Sequence, residues 1–543
     1  MTDTILDCCI IGAGPAGLQA GYKMARMGMD VRLLERGQVG QFFRQFPRHR
    51  TLISINKVHT GLSNPETKLR YDWNSLLNDD GVLFPDHSKK YFPNADVYVE
   101  YLEQFGGLLG DRIVENCEVT RVSSDDGLFT LTCADGSTHR ARSVIVATGV
   151  SRPWNPEIEG WDLVDQYYDF DTDGAVYDDK RVLVVGKGNS AFETADALIE
   201  HAQAIHVMSP NPLKFAWNTH FVGHLRAVNN NFLDTYQLKS QNAVIDASIR
   251  KVERNNDGTL TVTAGMEAAE GHDIVLTYDK IIACTGFRFD ASIFDEDIRP
   301  TLRHMDKFPA MTAQWESEEI PGLFFAGTIM QCRDFKKTMS GFVHGFRHNV
   351  ECLVDFIADR LGTAPMPSDT VPMQREALAD VLIDRFSTNA ELFLQPAFMA
   401  DAIILSGPDA GKRLRGVPMA WLREQADLRK HGVMALSMEF GNFGDSPMHV
   451  KRQNTLQGDH ADPFIHPVLR IFRGDEVAMA HLPDHLDSDW RSAAAKDAGA
   501  GTVQEMTYDG KLQSCAHAAR QKLIEVLTQH DIGQPARATT AAR

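Results

Sequence analysis

A chain of 543 residues exceeds the ~250 to 300 at which a single core stops growing, so two or three domains are expected. With 73 acidic against 55 basic residues its formal charge is -18, which argues against a general affinity for nucleic acid or an anionic membrane. No apolar run reaches the ~18 residues of a membrane span, no signal-peptide pattern precedes Ile5, and eight scattered cysteines without a CxxC pair read as reduced, mostly buried thiols. These features predict a cytoplasmic globular protein.

Residues 5–35 read as strand, glycine turn, helix and strand around "CCIIGAGPAGLQAGYKM". Alternating apolar character in "CEVTRVSSDDGLFTLTCADGSTHRARSVIVATG" predicts further strands. Residues 181–209 repeat the strand–glycine–helix unit as "VLVVGKGNSAFETADALI", followed by strands in "TLTVTAGM" and "DKIIACTGF". From Leu323 comes a strand, "LFFAG", a polar loop, and a long helical pattern ending before Gly362. The prolines of "GTAPMPSDTVPM" read as a linker, and residues 375–530 mix helical and strand segments as a separate α+β domain.

In the first loop Gly12, Gly14 and Gly17 suit a tight turn, backbone approach to a pyrophosphate, and close helix–strand packing. Glu35, at the end of "VRLLE", is placed to accept hydrogen bonds from ribose hydroxyls. The second loop has Gly186, Gly188 and Ala191. Its second strand ends near Ser209 without an acid, which favours NADPH over NADH, with Ser209, Asn211 and Lys214 available to a phosphate. A degenerate repeat kept for packing is the plain alternative for this second loop.

The tracts "VIVATG" and "LFFAG" resemble those that complete the FAD domain of two-dinucleotide-binding-domain flavoproteins, and "GKGNSAFE", "YFPNADVYVEYLEQFGGLLG" and "VATG" resemble the single-component, NADPH-using flavin-dependent monooxygenases. The tracts "FPRHRTLISINK", "RYDWNSLL", "NNNFLDTYQLKS", "GFVHGFRH" and "HGVMALSMEFG" resemble the FAD-dependent oxidoreductase domain-containing flavoproteins of the endoplasmic reticulum, which are associated with protein degradation. The resemblance implies an α/β fold with two Rossmann-like dinucleotide-binding domains, the FAD domain discontinuous, plus a C-terminal α+β domain. It places FAD on residues 1–155 and 285–362, NAD(P)H on 156–284, and an extra domain of unassigned role on 363–543. It implies cofactor contacts from Gly12, Gly14, Ala16, Gly17, Glu35, Arg36, Gln41, Phe42, Phe43, Arg48, Asn56, Asp72, Val119, Thr148, Gly149, Gly327, Gly341 and Phe342 for FAD. For NADPH they come from Gly186, Gly188, Asn189, Ser190, Glu193, Ser209 and Lys214. Two features depart from the resemblance: "VDQYYDFD" stands where the monooxygenase fingerprint FxGxxxH belongs, and no signal peptide is present. A cytoplasmic, bacterial relative is therefore expected.

The resemblance aligns Asn56 with an asparagine beside the flavin, whose amide would hold a flavin hydroperoxide; loop capping is the structural alternative. Phe42 and Phe43 are candidates to stack on the flavin, and Arg44, Arg48 and Arg50 to meet pyrophosphate or substrate carboxylate; a solvated basic loop is the alternative. Asp72, Trp73, Trp217, Asn218, His220, Asn229 and Tyr236 are candidate pocket residues, against a solvent-facing insertion. His344 and His348 share a helix face but lack a third ligand, so no metal is expected. The helix start at Gly341 and Phe342 would stabilise reduced flavin.

The expected activity is FAD- and NADPH-dependent oxygenation of a small nitrogen or sulfur compound by dioxygen. An NAD(P)H oxidase or electron-transfer reductase without oxygen insertion is the alternative, as is a flavin-stabilised protein-binding adaptor. Neither nucleic acid nor membrane is expected as a partner, and the C-terminal domain offers a surface for a homo-oligomer.

Overall fold

The computed structural model describes residues 4–216, 221, 224–407, 409–441, 464–485, 487–491, 505–506, 512–513 and 515–534. Strands β1 (Ile5–Ile11), β2 (Val31–Leu34), β3 (Ile113–Val114), β4 (Val119–Asp125), β5 (Leu128–Cys133) and β6 (Thr138–Val146) build the first sheet in the order β3-β2-β1-β6-β5-β4. β1 is a nearly unbroken apolar run, as a central strand covered on both faces requires. It pairs in parallel with both neighbours, Ile10 lying opposite Leu33 on one side and Ile145 on the other.

The chain leaves this sheet through β7 (Arg152–Pro153). Strands β8 (Asp165–Gln166), β9 (Arg181–Val185), β10 (Ala204–Ser209), β11 (Ala243–Arg254), β12 (Leu260–Met266), β13 (His272–Tyr278) and β14 (Lys280–Ala283) form the second sheet, ordered β13-β12-β11-β10-β9-β14-β8. The chain returns through β15 (Phe287–Arg288), antiparallel to β7. After the hairpin β16 (Leu302–Arg303) and β17 (Phe308–Pro309), β18 (Leu323–Phe325) pairs with Val144–Val146 of β6. Each sheet thus ends its central parallel strands at a glycine loop and a helix amino terminus, and the first is completed by chain from both sides of the second.

The third sheet is antiparallel throughout: β19 (Asp369–Pro372), β20 (Met399–Ile404), β21 (Ala410–Pro418), β22 (Val433–Glu439), β23 (His466–Arg473) and β24 (Glu476–His481), in the order β19-β21-β20-β22-β23-β24. β19 lies inside the stretch expected to be a linker. It is an edge strand, where Pro372 costs no ladder hydrogen bond on its open side.

Nor is this C-terminal region set apart from the first sheet. One continuous apolar core spans both, with Trp315 against Phe398 at 6.4 Å and Phe356 against Trp421 at 5.1 Å. Fully buried Arg70 donates to the carbonyls of Phe386, Asn389 and Ser488, and buried Arg385 pairs with Asp401, Glu391 and Glu66. Proline content marked a break in helix but carried no information about these cross-chain contacts.

Candidate functional site

The first loop joins β1 to the helix Pro15–Arg26, whose amino terminus is Gly14. Gly12 has φ +106, and a Cβ there would lie 2.9 Å from the Ala147 carbonyl oxygen. A Cβ on Gly17 would lie 2.0 Å from the Gly12 oxygen, so the helix can approach the strand only with glycine there. At Gly14 a Cβ would meet nothing within 4 Å: the backbone faces open space. Gly327 places its Cα so near Ala16 that a Cβ would come within 2.8 Å of the Ala16 methyl. The ends of β1, β6 and β18 therefore converge on one helix terminus, beside Thr148, whose hydroxyl is buried without a partner, and Gly149.

Buried Glu35 has a structural task. Its carboxylate accepts the Ala13 N–H at 2.8 Å and the Gly37 N–H at 3.0 Å, closing the loop. Each oxygen keeps a further lone pair for a ribose hydroxyl. Arg36 is exposed, Gln41 lies over Gly37 and Gln38, and Val119 is buried in β4.

The second loop repeats the geometry. Gly186 has φ +128, with a Cβ 2.4 Å from the Cys284 carbonyl, and Gly188 faces open space at the start of the helix Asn189–Ala197. Lys187 is tied to Asp246 and to the carbonyls of Ser209 and Asn211. Asn189 accepts the Arg226 N–H and donates to the His224 carbonyl, while Ser190 gives its carbonyl to Thr194. Lys214 is exposed, and the Ser209 hydroxyl donates to the Asn211 carbonyl at 3.3 Å. Glu193 is buried, its carboxyl pushed up to about 7 chiefly by burial, with the Tyr167 hydroxyl donating to it at 3.3 Å.

Both cradles fit a dinucleotide: a cavity that a side chain would fill, a helix amino terminus, and backbone N–H groups aimed at it. A family profile for pyridine nucleotide-disulphide oxidoreductases matches residues 9–327, which contain both. The chain belongs to that family. It is 33% identical over 521 residues to FAD-dependent oxidoreductase domain-containing protein 2 of Danio rerio, covering 86% of this chain and 76% of that protein. Among solved structures it resembles a bacillithiol disulfide reductase from Staphylococcus aureus (TM-score 0.52, 19% identity, 66% of this chain and 99% of that one). It also resembles a flavin-containing monooxygenase from Stenotrophomonas maltophilia (TM-score 0.50, 18% identity, 66% and 99%). At those identities the two structures speak for the fold alone. The chain is a flavin-dependent oxidoreductase, and its cofactors are FAD and NAD(P)H, as in other members of the family. Among the described residues no helix is long and apolar enough to cross a membrane.

Several expected contacts are engaged elsewhere. Phe43 packs edge-on against Tyr98 at 4.7 Å, and exposed Phe42 leans on Phe46. The three arginines tie this loop to other segments: Arg44 pairs with Glu103, Arg50 with Asp96, and Arg48 donates to the carbonyls of Tyr168 and Phe170. Asp72 accepts the N–H groups of Asn74 and Ser75 and the Ser75 hydroxyl, so it is a turn cap. Buried Asn56 donates its amide to the Ser88 carbonyl at 2.7 Å, leaving its oxygen without a partner. Asn229 backs Asn189 at 3.3 Å, and Tyr236 is exposed on the outer helix Phe232–Leu238. Trp217, Asn218 and His220 lie outside the described residues.

Between the cradles stands a group that sequence spacing could not assemble. The helix Val343–Arg360 begins at Phe342, beside Gly341, where a Cβ would collide with the Gln331 side chain at 2.0 Å. His344, in its first turn, is fully buried and stacks on Trp73 at 4.6 Å and on Phe342 at 5.8 Å. Lys57 and Arg226 approach the same Trp73 ring. His348 is buried against Arg347. Ligand atoms of Cys117, Cys133 and His139 do lie within 4.8 Å of one another, near Glu35, a triangle with no motif in the sequence to announce it.

Proposed function

We propose that the protein is an NADPH-using flavin monooxygenase acting on a small nitrogen or sulfur compound, with FAD on residues 1–155 and 285–362 and NADPH on 156–284. The observation that carries this reading is the aromatic and cationic cluster at the amino terminus of Val343–Arg360. It joins Trp73, His344, Phe342 and Arg226, and includes no cysteine among the described residues. Disulfide reduction would require a thiol pair there; Cys8 and Cys9 are buried within β1, and Cys117 and Cys133 sit at the Glu35 end of the first cradle.

Bound there, the flavin would accept electrons from the nicotinamide and deliver them to dioxygen. The chain's own part is positional. The Gly14 and Gly188 backbones would hold the two pyrophosphates, the first turn of Val343–Arg360 would offer N–H groups and its dipole to the flavin, and the aromatic side chains would limit access of water.

One observation favours the alternative, electron transfer or oxidase activity without oxygen insertion: one N–H of the Asn56 amide is taken by the Ser88 carbonyl, which fixes the side chain in its loop. Turnover under ¹⁸O₂ with a panel of amines and sulfides separates the two. Labelled product supports oxygenation; recovery of all NADPH electrons as hydrogen peroxide with every substrate supports the oxidase.

A further inference from the structure

Two half-buried cations from different sheets' segments meet over one aromatic column. Lys57 Nζ lies 3.6 Å from the Trp73 ring centroid, and the Arg226 guanidinium lies 5.9 Å from the same centroid. Neither side chain makes an ion pair among the described residues, and Asp72, on the adjoining loop, is consumed by Asn74 and Ser75. Buried like charges without a counter-charge raise the free energy of the empty site, and an anion placed between them removes that cost.

The surroundings show how far the imbalance goes. Lys57 is pushed down to about 8, mostly by burial and then by Arg226. His344 is held well below its usual value by burial, then by Arg347 and Lys57, so its ring is neutral. Its Nδ1 is buried without a partner. The dipole of Val343–Arg360 adds further positive potential at the same spot.

We propose that Lys57 and Arg226, set over the Trp73–His344 stack, bind the carboxylate of an organic-acid substrate beside the flavin. This rests on the two-cofactor reading above, which puts the flavin ring at the amino terminus of Val343–Arg360. A carboxylate is preferred over a cofactor phosphate because the second loop already offers its own open anion cradle at Gly188, at the start of Asn189–Ala197.

The test is a titration of the oxidised, anaerobic holoenzyme with benzoate as the probe, followed by the flavin absorption spectrum. Benzamide serves as the neutral isostere and NADP⁺ as the cofactor control. Benzoate is expected to give a saturable spectral change, with benzamide weaker by at least about tenfold. Lys57→Met and Arg226→Gln should each weaken benzoate by at least about tenfold, Lys57→Arg should restore most of it, and NADP⁺ affinity should hold. Equal binding of benzoate and benzamide, or no response to either, overturns the proposal. So does a loss confined to NADP⁺, which would assign the cations to the nicotinamide cofactor. Should Lys57→Met fail to retain FAD, Arg226→Gln, on the other side of the cleft, carries the same comparison. Oxygen takes no part in the measurement. An enzyme that binds benzoate through these residues yet yields only peroxide would sink the monooxygenase reading and leave the anion site in place.

Discussion

Replacing Glu193 by glutamine removes a buried titratable carboxyl from the second-loop helix while keeping an acceptor for the Tyr167 hydroxyl. In the folded protein this carboxyl holds its proton up to about 7, against 4.5 ordinarily, because burial penalises the charged form. The folded state therefore binds the proton more tightly than the unfolded chain does. The resulting stability is complete below pH 4.5 and is lost as pH rises through 7. At ~1.4 kcal/mol per pH unit the gap amounts to about 3 kcal/mol. Glutamine cannot ionise, so Glu193→Gln should match the natural protein at pH 4.5 and exceed it by about 3 kcal/mol at pH 8.5. Calorimetry of the FAD-loaded protein should show this as a rise of roughly 6 to 12 °C in the transition of residues 156–284 at the higher pH. A difference between the two proteins that is the same at both pH values would refute the argument, since it would mean that Glu193 is ionised in the folded state.

Gly14→Val should fold, because a Cβ there meets nothing within 4 Å, yet expel FAD; a purified variant with full flavin absorbance contradicts the first cradle. Gly188→Val should keep FAD and lose most of its reduction by NADPH in stopped-flow traces; equal loss of both cofactors contradicts the two-site assignment. Arg385→Ala strands fully buried Asp401 and releases Glu66, and should lower the denaturant-derived stability by about 3 to 5 kcal/mol. Asn56→Ala leaves the Ser88 carbonyl without its donor, at a cost of about 1 to 3 kcal/mol. If the product formed per NADPH is unchanged while the melting temperature falls, Asn56 is a structural residue.

What could be read from sequence is what depends on neighbours along the chain. The two glycine loops and Glu35 at the end of β2 follow from short periodic segments whose glycines are demanded by local backbone geometry, while the interruption of the first sheet by the second and the FAD assignment came from the resemblance of longer tracts to known flavoproteins. Gly12 and Gly186 declare themselves because only glycine tolerates their φ, and Gly14 and Gly188 because only glycine leaves room for phosphate. The tertiary structure alone decided which side chains were already spent and which were left over. Arg48 and Arg50 have the character of phosphate ligands along the chain, but in the fold they bond the Phe170 carbonyl and Asp96, and the proline-rich stretch around Asp369–Pro372 is an edge strand because β21 lies beside it. Lys57, Trp73, Arg226 and His344 are separated by up to hundreds of residues and form no motif. Their common potential arises from burial and from through-space proximity, and neither quantity is encoded in the spacing of residues along the chain.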